Sequence, residues 1–114
     1  MNNKQILIEK IAAMVTYGKR PKDVAIKLYD VLAQMIYSDR GRCKKEGFVS
    51  ELTIEGLVDL LSLYLGKPCK FCGEVIDHKN IGLDHVVPFY FCKESKIGNV
   101  QFICKRCNCR KSTC

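Results

Sequence analysis

The sequence has no apolar stretch of the length that a signal peptide or a membrane span requires. Its N-terminus, Met1-Asn2-Asn3-Lys4-Gln5-Ile6-Leu7-Ile8-Glu9-Lys10, holds three consecutive apolar residues before a charge, too few for a secretory hydrophobic region. No other run approaches transmembrane length. The first 66 residues contain no internal repeat, and no low-complexity tract occurs anywhere. Apolar residues are not scarce either: at 47% they are too many for wholesale disorder. The expectation is a cytoplasmic protein with reduced thiols and no membrane partner, forming one compact unit or a small module with a helical extension.

Cysteine is abundant, with eight in 114 residues. A disulfide framework is the usual reading of such a count in a secreted chain. The N-terminus argues against it, and the spacing offers something else. Cys69-Lys70-Phe71-Cys72 and Cys104-Lys105-Arg106-Cys107 repeat one knuckle-like spacing. Two such pairs are a strong signal for a closed, tetrahedral, structural zinc site, which would also help stabilise a core of modest size. Cys109 and Cys114 lie close enough to exchange in as ligands or to be free, while Cys43 reads as a lone thiol and Cys92 has no evident role.

Positive charge is concentrated in the same segment. Residues 1–66 carry ten Lys/Arg against eight Asp/Glu, whereas residues 67–114 carry nine against four, a net of +5. That excess suits a polyanionic partner, although a solvated basic surface accounts for it equally well.

Before the cysteines the chain reads as helical. Leu7, Ile11, Met14 and Val15 predict an amphipathic helix over residues 4–16, ended by Gly18. Pro21 and Asp23 open a second, whose stripe of Val24, Leu28, Val31, Leu32 and Met35 runs to about Tyr37. Ser38 to Gly47 reads as a polar loop with four basic residues. Thr53 caps a third helix with Ile54, Leu57, Val58, Leu61, Tyr64 and Leu65 on its apolar face. Gly66 stops it and Pro68 blocks continuation. This marks the expected boundary between a helical region, 1–66, and a cysteine-bearing module, 67–114. Within the module, Val75-Ile76, Ile81 to Val87 and Val100 to Ile103 read as strands, and Lys105 to Lys111 as a short basic helix. His78, in a turn, reads as a surface residue. Phe89, Tyr90 and Phe91 read as packing beneath the loop rather than stacking on DNA.

Asp84-His85 lies in the apolar run Leu83-Asp84-His85-Val86-Val87-Pro88. Neighbours on a strand point to opposite faces, so one of the two needs a polar partner or a ligand. Taken in order, Cys69–Cys72, Asp84-His85 with Pro88, Asn99, Cys104–Cys107, Asn108 and Lys111 resemble the HNH nuclease family in its four-cysteine form, with Asn at the motif's last position. The resemblance covers residues 69–112. The loop from Phe89 to Gly98 departs from the pattern by lacking a glycine pair that many members carry there.

The resemblance implies an α+β chain: an N-terminal α-helical region followed by a zinc-stabilised ββα-metal (HNH) module. It also implies a metal-dependent endonuclease acting on DNA. By that correspondence His85 is the general base, Asp84 and Asn108 hold a catalytic Mg2+ or Mn2+, and Asn99 ties down the loop that orients His85. The chemistry suits these types, because His titrates near neutrality and hard oxygen donors suit such ions where four thiolates do not. Arg106, Arg110 and Lys111 are candidates for phosphate contact, the last two off the face that Asn108 presents. A single site implies one strand cut per protomer, so cutting both calls for a homodimer or a second event. The alternative class is a non-catalytic zinc-knuckle module binding nucleic acid or protein, which has no need of Asp84, His85 and Asn108 together. A purely structural zinc protein leaves the basic segment unexplained.

Overall fold

The computed structural model describes residues 2–88, 91 and 93–111. Phe89, Tyr90, Cys92 and Cys114 therefore lie outside the described residues. Helix α1 (Asn3–Met14) starts from a capping box, in which the Asn2 side chain accepts from the Gln5 amide while the Gln5 side chain accepts from that of Asn2. Helix α2 (Pro21–Glu46) has proline in its first turn and ends at Gly47, whose φ of 73° is the left-handed cap that glycine adopts without strain. Strand β1 (Val49–Ser50) follows, then helix α3 (Ile54–Leu61), where the Thr53 hydroxyl accepts from the Gly56 amide as the expected cap.

The polar loop expected at Ser38 to Gly47 is a correction: residues 38–46 continue α2. The buried stripe Leu28, Leu32, Ile36 continues at helical spacing through Asp39 and Cys43. Asp39 breaks the apolar run, so the periodicity continues to Cys43 while the hydrophobic signal is interrupted.

The C-terminal part is a small antiparallel sheet with a helix against it. Strand β2 (Ile81–His85) pairs with β4 (Val100–Cys104) from Ile81↔Cys104 to His85↔Val100. Helix α4 (Lys105–Lys111) leaves β4 directly and packs on both strands. Between them, β3 (Glu94–Ser95) pairs in parallel with β1, setting Ser50 beside Ser95, and a 3-10 turn (Ile97–Asn99) leads into β4. Val75-Ile76 makes only an isolated bridge, Pro68↔Val75, rather than the expected strand. The architecture is mixed α+β, with a helical region before the ββα unit.

One hydrophobic cluster spans the chain. Leu7, Ile11, Leu28, Leu32, Leu57 and Leu61 from the helices join Ile76, Ile81, Phe102 and Ile103 from the sheet and the segment before it. Tyr17 adds a polar link across the same junction: its hydroxyl accepts from the His78 amide at 3.0 Å, and its ring stacks on the His78 ring. His78 is thus half-buried against the helical region, not a surface residue. Phe91, expected to pack, is exposed. No described helix is long and apolar enough to cross a membrane.

Candidate active site and metal centre

The knuckle turn at Cys69–Cys72 and the junction of β4 with α4 bring four sulfurs together. Cys69, Cys72, Cys104 and Cys107 present ligand atoms that all lie within 4.8 Å of one another. The Cys72 and Cys104 sulfurs are 3.5 Å apart, against about 3.8 Å for a tetrahedral site with metal–sulfur bonds of about 2.3 Å. Burial raises the Cys69 thiol, but hydrogen bonds from the backbone amides of Cys104, Phe71 and Cys72 outweigh it and bring it down to about 6. The Glu74 amide lowers Cys72. Cys107 runs the other way, pushed up to about 12, first by its hydrogen bond with Cys104. Four sulfurs this close would repel one another as thiolates, so the cluster would ionise fully only around a dication. The soft, all-sulfur donor set fits zinc by type. Cys109 stands outside this cluster.

Strand alternation sends Asp84 and His85 to opposite sides of β2, and both find partners. His85, 9% exposed, faces helix α2, with Nε2 at 2.9 Å from the Ser95 hydroxyl and 3.8 Å from Asp39 Oδ1. Burial lowers its pKa, helped by the Arg42 cation and opposed by Asp39 and Asp84, which favours the neutral ring. Asp84 accepts from Gln101 Nε2 at 2.9 Å and from the Lys111 ammonium at 2.8 Å, both at Oδ2. Asn99 holds the segment after His85 through three bonds. Its side chain accepts from the Val87 amide at 2.9 Å and donates to the Val87 carbonyl at 3.1 Å, and its carbonyl accepts from the Val86 amide at 2.8 Å.

Asn108 lies over β2, its Nδ2 donating to the Leu83 carbonyl at 3.1 Å. Close approach there depends on Gly82, where an added Cβ would meet Asn108 Nδ2 at 3.2 Å and the Ile103 carbonyl at 3.4 Å. Gly82→Ala is expected to turn the Asn108 amide off that carbonyl at a cost of about 1 kcal/mol, the scale of one lost hydrogen bond. Urea unfolding checks the cost, and the side-chain amide resonances of Asn108 check the displacement.

His85 and Asn108 share the wall of a cleft of about 610 Å³, closed on its other side by Ser38, Asp39 and Arg42 of α2. Asp84 is not among its lining residues. Of the three basic candidates, Arg106 pairs with Glu74 at 3.4 Å, and Arg110 is exposed. Lys111 reaches Asp84 Oδ2 and also the His85 carbonyl at 3.1 Å. The expectation that Lys111 lies off the Asn108 face is corrected here: residues three apart on a helix are surface neighbours, and both reach β2.

Asp39, Ser50, Ser95 and Gln101 did not emerge from sequence reading. A polar residue at a stripe position was the available signal for Asp39; Ser50, Ser95 and Gln101 carry none.

A two-stranded antiparallel ribbon with a helix across it, an Asp-His dipeptide on its first strand and a four-cysteine cluster at its base define a ββα unit with a candidate zinc site. Residues 69–113 match the family model described as HNH endonuclease. No curated protein matches the chain.

Proposed function

We propose that the protein is a metal-dependent endonuclease that hydrolyses DNA phosphodiester bonds. The observation that carries this reading is the setting of His85, a buried imidazole whose burial favours the neutral form, on a cleft wall shared with Asn108 and facing Arg42. A neutral imidazole can take the proton of an attacking water, a contribution of about 10²–10⁴ in rate. Asn99 fixes the backbone after His85 and so limits where the ring can go. Arg42 sets a cation on the opposite wall, suited to a phosphate oxygen. The net positive charge of residues 67–114 favours a nucleic-acid backbone as the polyanion.

Asp84 and Asn108 are the hard oxygen donors that the resemblance assigns to Mg2+ or Mn2+; neither donor to Asp84 uses its Oδ1, and of the two only Asn108 lines the cleft with His85. Such an ion, when bound, supplies Lewis-acid stabilisation of charge growing on the phosphate. Zinc on the four cysteines serves the structure alone, having no open position.

One observation favours the second reading, a non-catalytic nucleic-acid-binding module: the Lys111 ammonium already neutralises Asp84. Nicking of supercoiled plasmid separates the two. The zinc-loaded protein is expected to nick with Mg2+ or Mn2+, and zinc-loaded His85→Ala to lose at least about a hundredfold in rate. Salt-sensitive DNA binding without cleavage under any divalent ion would establish the second reading instead.

A further inference from the structure

A buried polar chain joins His85 to the helical region. Parallel pairing of β1 with β3 sets Ser50 opposite Ser95, and the two hydroxyls bracket the Asp39 carboxylate. Ser95 Oγ lies 2.6 Å from Asp39 Oδ1, and Ser50 Oγ lies 2.6 Å from Oδ2. Asp39 is 4% exposed and Ser95 is fully buried, so water does not compete for these bonds.

The proton count along this chain has one solution. A carboxylate offers only lone pairs, so Ser95 donates its single hydroxyl proton to Asp39. Toward His85, 2.9 Å away, Ser95 can then only accept. The proton between them belongs to His85 Nε2, and the lone pair of the neutral ring falls on Nδ1. The nitrogen that carries the proton is set by the partner of that nitrogen, here a hydroxyl whose own direction is set by a carboxylate.

We propose that Asp39 and Ser95 are positioning residues that lock His85 in its Nε2–H tautomer, so that the ring's lone pair lies on Nδ1. The inference rests on the nuclease reading for the purpose of the lock, though not for its existence. It makes helix α2 part of the active site: the tautomer of a residue on β2 is dictated by a carboxylate from the helical region. Where a carboxylate fixes the tautomer of a catalytic histidine directly, its amide replacement costs about 10⁴ in turnover. An effect relayed through one hydroxyl is expected to be smaller, about tenfold to a hundredfold.

The test uses the full-length, zinc-loaded protein and the ring ¹⁵N resonances of its two histidines at pH 8. Wild-type His85 is expected to show a protonated Nε2 and a lone-pair Nδ1. Ser95→Ala removes the acceptor. Asp39→Ala frees the Ser95 hydroxyl to turn and donate to Nε2. In either variant the Nδ1–H tautomer should appear, and kcat for plasmid nicking should fall about tenfold or more with KM unchanged. Ser95→Thr, which keeps the hydroxyl, should restore both. A wild-type ring protonated at Nδ1 would overturn the proposal without recourse to any variant, as would variants that keep the wild-type tautomer. The spectrum decides the hydrogen-bond chain whether or not plasmid is cut. Undiminished nicking by His85→Ala would instead bring down the nuclease reading and the role it gives the lock.

Discussion

Cys104→Ser is expected to abolish zinc binding and unfold the ββα unit. Cys104 is the last residue of β4 and is 1% exposed. Its sulfur lies 3.5 Å from that of Cys72 and accepts a hydrogen bond from the Cys107 amide at 3.4 Å. It therefore sits where the sheet, the knuckle turn and the first turn of α4 meet. A serine oxygen is a hard donor and does not replace a thiolate toward zinc. Three sulfurs then remain, and α4, seven residues long, is too short to persist without tertiary support. Apparent binding energies at structural zinc sites of small domains are about 10–16 kcal/mol at pH 7, and where metal and fold are coupled that energy is folding energy. Zinc stoichiometry and the dispersion of Leu83, His85 and Asn108 resonances check the outcome: no bound metal, and collapse of those signals. Chelating the wild type should reproduce it. A Cys104→Ser protein that kept its zinc would show that the four sulfurs are not the ligand set.

The same residues show what could be read from the sequence. The two cysteine pairs were legible because ligand spacing is local: two residues between thiols fix a knuckle wherever the pairs later meet. The ββα order was legible through resemblance, because the strand, strand and helix follow the spaced motif residues in turn. The second half of α2 was not, since polar Asp39 interrupts the stripe that Leu32 and Ile36 predict, and Cys43, a turn further on, stands alone among charged residues. That interruption concealed the site's other wall. Only the fold shows that the parallel β1–β3 pair, two residues on each side, sets Ser50 and Ser95 around the Asp39 carboxylate. His78 was misread for a related reason: a histidine in a turn is ordinarily solvated, and its partner, Tyr17, is 61 residues away.

Phe102→Ala is the substitution expected to cost most among the core residues, and its outcome bears on whether the helices and the sheet fold as one. Phe102 is 1% exposed at the centre of β4, in register with Leu83. Its ring meets Tyr64, in the turn after α3, edge to face with centroids 5.9 Å apart. Truncating a buried phenylalanine costs about 3–5 kcal/mol, the transfer loss plus the cavity left behind. Against a total stability of about 5–15 kcal/mol, that is a large share. At roughly 4 °C per kcal/mol for a chain of this size, the midpoint should drop by roughly 12–20 °C. Because the cluster containing Phe102 also contains Leu28, Leu57 and Leu61, the helices should lose their stability with it. Far-UV circular dichroism, which follows the helices, and the Cys-bound metal, which follows the ββα unit, should then report one shifted transition. If the metal site alone were weakened while the helices melted at the wild-type temperature, the contact through Tyr64 would be adhesion between two separately folding parts. The placement of Asp39 beneath His85 argues for the single transition, since the lock on the imidazole holds only while α2 and β2 stay folded together.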